Sequence, residues 1–383
     1  MKGPPKKVLQ FLHWFCREDY LEEIEGDLTE LFIKQYENSP RKASWKFAWS
    51  VIKYFRPEFL KSFKSNYHTS PIVMFRHNLL ITYRTFLRYK SSFFINLVGL
   101  SSGLACTLMI YLWVTDELSM DKFHEKDSQL FQVFQTLGVG GNYETIEYTP
   151  GILAKTLAEE MPEVELAVST VPSYWFSSKG IISAGDTRFK VAPQYVSKNF
   201  FDVFTYPLVE GNKSEVLINK QAILLSESLC MRLFQTTTGV IGKNIQWSHL
   251  EGISGEYFVT GVFKDLPANS TAKFDVLFNY ELFLENRPSL QSWWNSDPCT
   301  YVLLKKGADP EVFNAKIKEL KRKKTQNPQE GTFEAQQYTS KYLYGHYQLE
   351  RGGYGGGRIQ YVRLFSVIAI FILSIACINF MNL

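Results

Sequence analysis

Few residues in this 383-residue chain combine types and spacings that could do chemistry. The run Gly239-Val240-Ile241-Gly242-Lys243-Asn244 superficially resembles a phosphate-cradling loop, where glycines bring backbone N–H groups to the anion and a hydroxyl after the lysine holds magnesium. Here Thr237 stands where a glycine is needed, and Asn244 replaces the hydroxyl. The carboxylates Glu22, Glu23, Glu25, Asp27 and Glu30 would suit acid–base work or a metal, but no His or Cys joins them, and a solvated helix face accounts for them. His13 and Cys16 lie three apart on a predicted helix, and two ligands do not make a zinc site. The remaining histidines (His68, His77, His124, His249, His346) are scattered, and no GxSxG, HExxH or CxxC motif is present. The expectation is of no catalytic, cofactor-binding or metal-ligating residues, and of a protein that is not an enzyme.

The elements that would position any site are dominated by two apolar runs, Phe93–Val114 and Leu364–Leu383, neither holding a charged residue. At about 1.5 Å per residue each reaches ~30 Å, enough to cross a bilayer as a helix. The second run ends on the last residue, which reads as the N-terminal piece of a longer membrane protein. Without an N-terminal apolar core, the first run is expected to serve as an uncleaved signal anchor. Gly99 and Gly103 within it form a small-xxx-small pair and are the candidates for close helix packing.

Charge sets the expected orientation. Residues 38–92 carry eleven Lys/Arg against Glu58 alone, whereas residues 115–363 carry 26 Lys/Arg against 29 Asp/Glu. The positive-inside bias places residues 1–92 in the cytoplasm and 115–363 outside, with Arg358 and Arg363 running against that assignment. The basic segment 66–92 is expected to lie as an amphipathic helix on anionic membrane lipid, not to bind nucleic acid. Of five cysteines, Cys230 and Cys299 alone share the outer compartment and could pair.

The resulting fold class is a membrane protein: a small all-α cytoplasmic module at 1–65, a juxtamembrane segment at 66–92, and transmembrane helices at 93–114 and 364–383 flanking a large α+β extracytoplasmic domain at 115–363. In the module, Leu21, Ile24, Leu28, Leu31, Phe32 and Tyr36 share a helical stripe, and a second helix over Trp45–Phe55 puts Trp45, Trp49 and Ile52 on one side. In the outer domain, strands are predicted at Leu130–Leu137, Ala222–Leu225, Tyr257–Phe263, Phe274–Phe278 and Tyr301–Lys305, with a hairpin turning at Gly185-Asp186. Thr149-Pro150, Ser226 and Asp309-Pro310 read as helix starts, the last with Val312, Ile317 and Leu320 inward. Gly352–Gly357 reads as a flexible connector.

Several of these segments carry a family resemblance. Asn96–Cys106, followed by Asp116-Glu-Leu-Ser-Met-Asp-Lys-Phe-His124, resembles the start of MacB/FtsX-type ABC transporter permeases. Gly261–Ser270 with Lys273-Phe274-Asp275, and Ile375–Leu383, are similar to later parts of the same family. Leu21–Leu28 resembles the permease prefix domain found ahead of some of these permeases. The resemblance implies a MacB-like periplasmic core domain between two helices of the bacterial inner membrane, and a permease homodimer or pseudo-dimer. It further implies a separate ABC ATPase that binds the ATP and drives the outer domain by mechanotransmission, in export or efflux. It offers no catalytic residues, and residues 116–124 and 261–275 are expected to be fold determinants. The alternative is a membrane-anchored sensory or signalling receptor with a ligand-binding periplasmic domain.

Overall fold

A computed structural model describes residues 3–36, 39–56, 59, 75, 78–82, 90–139, 142–251, 253–348 and 354–381. The chain divides into two compact units, Met1–Phe94 and Ile95–Leu383, each taken by itself below.

The first unit holds helices Lys6–Phe15, Glu18–Tyr36 and Pro40–Lys53. Its core joins Leu12, Phe15, Ile24, Leu28, Phe32, Phe47 and Val51. The expected stripe holds apart from one position: Ile24, Leu28 and Phe32 are buried at i, i+4 spacing, Leu21 and Tyr36 pack half-buried against the same core, and Leu31 is exposed. In the third helix the face expected from Trp45, Trp49 and Ile52 is the exposed one. The row Ala43, Phe47 and Val51 is buried instead, in one cluster with Leu28 and Phe32 of the second helix. Trp45 and Trp49 stack on each other on the outside. His13 pairs with Glu25 at 2.7 Å. Segment 66–92, expected to lie on the membrane surface, falls largely outside the described residues.

The second unit begins and ends in the two apolar helices, Lys90–Ser119 and Ile359–Met381, both long and apolar enough to cross a membrane. Their outward residues, among them Leu108, Met109, Ile370 and Phe371, are exposed. Hydroxyls within them bond the carbonyl one turn back, as Thr107 does to Gly103 and Ser374 to Ile370, both at 2.8 Å.

Between the helices the described residues form one mixed sheet of fifteen strands. Leu130–Val139 is the hub of one half, pairing antiparallel with Cys299–Leu304, Thr332–Gln337 and Asn142–Ile146. Gly255–Phe263 is the hub of the other, parallel to Ala222–Ser226 and antiparallel to Asn244–Ser248 and Leu208–Glu210. Val164–Val171, Pro193–Val196 and Val276–Asn279 bridge the halves, the last two in parallel. Cys299–Leu304 and Ala222–Ser226 are buried at every position, as strands covered on both faces must be.

Several elements match the expected ones and others differ for identifiable reasons. Ser226 Oγ accepts from Leu229 N, and Asp309 caps the helix Pro310–Lys318. Thr149 caps nothing. Its hydroxyl bonds the Pro298 carbonyl and the Thr300 hydroxyl, and the helix starts later, at Leu153. Val312 is exposed, because Phe313 and Ile317 take the inward row. Cys230 and Cys299 are both free and buried in separate clusters, so they do not pair. The glycine-rich run is not a plain connector: Tyr354–Gly356 is a strand antiparallel to His346–Gln348. The loop at Gly239–Asn244 holds an anion of the chain itself, since Gly239 N and Val240 N donate to the Glu210 carboxylate at 2.8 and 3.2 Å.

Candidate functional site at the roots of the apolar helices

The two apolar helices enter the outer domain side by side. A Cβ added to Gly103 would lie 2.8 Å from the Ala376 Cβ, and one on Gly99 would lie 3.0 Å from Asn379 Nδ2. The Ala376 methyl thus leaves no room for a side chain at 103, whereas the group nearest Gly99 is the end of a flexible side chain. Further along, Trp113 and Phe365 meet edge to face with ring centroids 5.1 Å apart.

At the outer end Glu117 is buried, and both of its oxygens are used. Arg358, one residue before the second helix, donates from Nη2 to Oε1 at 2.7 Å and from Nε to Oε2 at 3.2 Å. The Tyr342 hydroxyl adds a third bond to Oε2 at 2.8 Å. A bidentate arginine fork fixes direction as well as distance, so this cluster ties the first helix, the second helix and the domain helix Tyr338–Tyr344 into one unit.

The chain then turns sharply at Asp121, whose φ is 59°, a left-handed value that Asp tolerates better than most side chains. Asp121 accepts from Thr271 N at 2.8 Å and from the Thr271 hydroxyl at 2.5 Å, while Asp121 N donates to the Asn269 carbonyl. Asn269 Nδ2 in turn donates to the Ser119 carbonyl at 2.9 Å, closing the end of the first helix. Burial raises the Asp121 carboxyl above its usual range, more than the Thr271 bonds and the lysines Lys341 and Lys273 lower it. His124 Nδ1 accepts from Thr205 N, and its ring packs against Phe204, Tyr206 and Tyr338. Burial drives the imidazole from its ordinary 6.5 down to about 4, so it is neutral. The segments 116–124 and 261–275, far apart in sequence, are therefore two sides of one hydrogen-bonded joint.

A second buried ion pair lies on the same domain helix. Lys341 Nζ is 3.1 Å from Glu147 Oε2, and Glu147 is 1% exposed. Burial alone would depress the Lys341 ammonium, but the Glu147 charge more than reverses this and raises it. Sequence reasoning missed both ion pairs. For the first pair the signal available was the acids Asp116 and Glu117 after the first apolar run and the bases Arg358 and Arg363 before the second.

This arrangement is a mechanical joint of two apolar helices and a folded domain. The sequence profile of the MacB-like periplasmic core domain matches residues 93–320. The chain belongs to that family, which places it among ABC transporter permeases and apart from ordinary enzymes. Among solved structures, a domain ascribed to a permease protein of Porphyromonas gingivalis is similar at 24% identity and a TM-score of 0.47, covering 56% of this chain and 93% of that one. The periplasmic region of MacB from Actinobacillus actinomycetemcomitans aligns at 17% identity and a TM-score of 0.38, over 55% of this chain and 89% of that one. The extracellular domain of the noncanonical ABC-type transporter YknZ from Gram-positive bacteria aligns at 13% and 0.37, over 54% and 99%. No curated protein matches the chain.

Proposed function

We propose that the chain is part of the permease of a MacB/FtsX-like ABC transporter, in which a partner ATPase in the cytoplasm moves the outer domain through the two apolar helices. The observation that carries this reading is the family match over 93–320, a range that includes the first apolar helix as well as the domain. The helix-root joint supports it, because a rigid-body stroke needs a stiff connection between lever and load. In this reading residues 1–92 are cytoplasmic, both helices cross the inner membrane, and residues 115–363 are periplasmic. Gly99 and Gly103 let the helices pack, and permeases associate in pairs. Arg358, which ran against the positive-inside assignment, is matched by Glu117 and so adds no net charge at the outer surface. Export or efflux by mechanotransmission, and not a sensory output, is the activity proposed.

The topology is tested with Leu250→Cys, at a residue 93% exposed on the outer domain. A membrane-impermeant maleimide added to intact spheroplasts should label it. Labelling only after lysis would overturn the orientation. Recovery of an ABC ATPase with the affinity-tagged chain from native membranes tests the partner.

A further inference from the structure

The helical module leaves all three of its tryptophans outside. Along the helix Pro40–Lys53, Trp45, Trp49 and Ile52 point outward at i, i+4, i+7 spacing, each more than half exposed. The two indoles stack with their rings almost parallel, 2° apart, and centroids 5.9 Å apart. Phe55, just past the helix end, stacks on Phe11 of the helix Lys6–Phe15, and Phe11 stacks on the exposed Trp14. Exposed aromatic groups gathered in this way mark a surface that meets a partner. Charge is segregated by helix. The two helices that carry these side chains hold Lys6, Lys7, Lys42, Lys46 and Lys53, all exposed, and no acid. The middle helix, Glu18–Tyr36, holds seven carboxylates against Lys34 alone. It packs against the opposite, buried row of Ala43, Phe47 and Val51, which sets its acids behind the tryptophan face.

We propose that the outward face of the helix Pro40–Lys53, joined at Phe55 by Phe11 and Trp14, docks on an anionic lipid surface, with indoles at headgroup level and lysines on lipid phosphates. The amphipathic indole favours that layer, and a lysine stem can lie on apolar surface while its ammonium reaches a phosphate. A second copy of the chain is the poorer occupant, because pairing this face with itself would set lysines against lysines. The chain also brings the lipid with it: 36 residues, 54–89, separate this helix from the first apolar helix. With that apolar helix in a bilayer, docking is intramolecular, and a weak contact is enough to hold the module down. The inference rests on the membrane placement of the apolar helices in the reading above, and not on the transport activity.

The test places a fluorophore on the full chain in nanodiscs whose lipid carries a spin-label quencher at headgroup depth. Cys106→Ala and Cys377→Ala remove the exposed thiols, Cys16, Cys230 and Cys299 are buried, and Ile52→Cys takes the label. A second chain carries the label at Asp27→Cys on the acidic helix. In discs of phosphatidylcholine and phosphatidylglycerol in equal parts, the label at 52 should lose at least about half of its emission and the label at 27 little. With Lys42→Glu, Lys46→Glu and Lys53→Glu together, the ratio of docked to free module should fall by more than about tenfold, since each basic residue near an anionic surface is worth about fivefold. Phosphatidylcholine alone should likewise release the module. Elution of the chain apart from the discs would overturn this proposal and the membrane placement together. An inserted chain whose label at 52 is quenched no more than the label at 27 overturns the docking alone, and quenching at 52 that is unchanged in phosphatidylcholine or in a correctly folded triple variant also overturns it. If the triple variant loses its native circular dichroism, the unreversed chain in about 0.5 M salt decides: quenching at 52 should weaken there, and no change overturns the proposal.

Discussion

Glu117 and Glu147 are both buried carboxylates paired with a base, yet one is held by an arginine fork at the helix roots and the other by a lysine inside the outer domain. Glu117 receives two bonds from Arg358 and one from Tyr342, and nothing is left for a ligand to do. Glu147 is held by Lys341 through one oxygen at 3.1 Å, with the Tyr174 hydroxyl beside the same carboxylate. A planar fork holds its carboxylate in one orientation, whereas a lysine acts as a point charge. The same helix, Tyr338–Tyr344, carries a partner for each, Tyr342 for Glu117 and Lys341 for Glu147, one residue apart.

Four perturbations would break or sharpen this contrast, taken from the largest expected effect. Lys341→Met strands Glu147 as an unpaired buried charge and should cost about 3–5 kcal/mol of unfolding free energy in a denaturant titration. Adding Glu147→Leu should restore most of that loss, whereas no restoration would mean that Lys341 acts by packing alone. Next, His124 has a folded pKa of about 4 against 6.5 ordinarily, so the unfolded chain binds the extra proton. Stability present above pH 6.5 should fall as pH drops towards 4, by about 3 kcal/mol in all. His124→Gln should flatten that window in pH-dependent melts, and an unchanged slope would assign it to other groups.

Glu117→Gln keeps the shape of the joint but removes its charge. Because Arg358 is 40% exposed and can turn to water, the expected cost is only about 1–2 kcal/mol. Faster hydrogen exchange over residues 338–344 would show that the joint has loosened, and unchanged protection would show that Glu117 is not what holds it. The smallest effect is expected from Gly103→Val, which meets Ala376 but leaves the joint intact. Crosslinking between Trp113→Cys and Phe365→Cys should fall about two- to threefold, equivalent to about 0.6 kcal/mol. Undiminished yield would mean that the helices do not rely on the glycine contact.

The features that sequence reading recovered are those written in local pattern. Both apolar helices, the strands around Leu130, Ala222 and Tyr257, and the caps at Ser226 and Asp309 follow from runs, alternation and short-range hydrogen bonding. The features missed depend on partners distant in the chain. Thr149 looks like a cap until Pro298 and Thr300 claim its hydroxyl. Periodicity offers two faces for the helix Pro40–Lys53, and tertiary packing chooses the one with Ala43 over the one with two tryptophans. The ion pair between Glu117 and Arg358 spans 241 residues, and no local rule brings those two together. The apparent nucleotide loop illustrates the converse: its amides do cradle an anion, but the anion is Glu210.

Tyr354–Gly356 ends as an edge strand, and the second apolar helix begins at Ile359. Only Gly357, at a φ of 70°, and Arg358 separate them, and Arg358 is itself tethered to Glu117. Such a splice has almost no slack. A tilt or piston stroke of that helix would pull on the sheet margin at once, and inserting a few flexible residues after Gly357 would uncouple membrane from domain while leaving both intact.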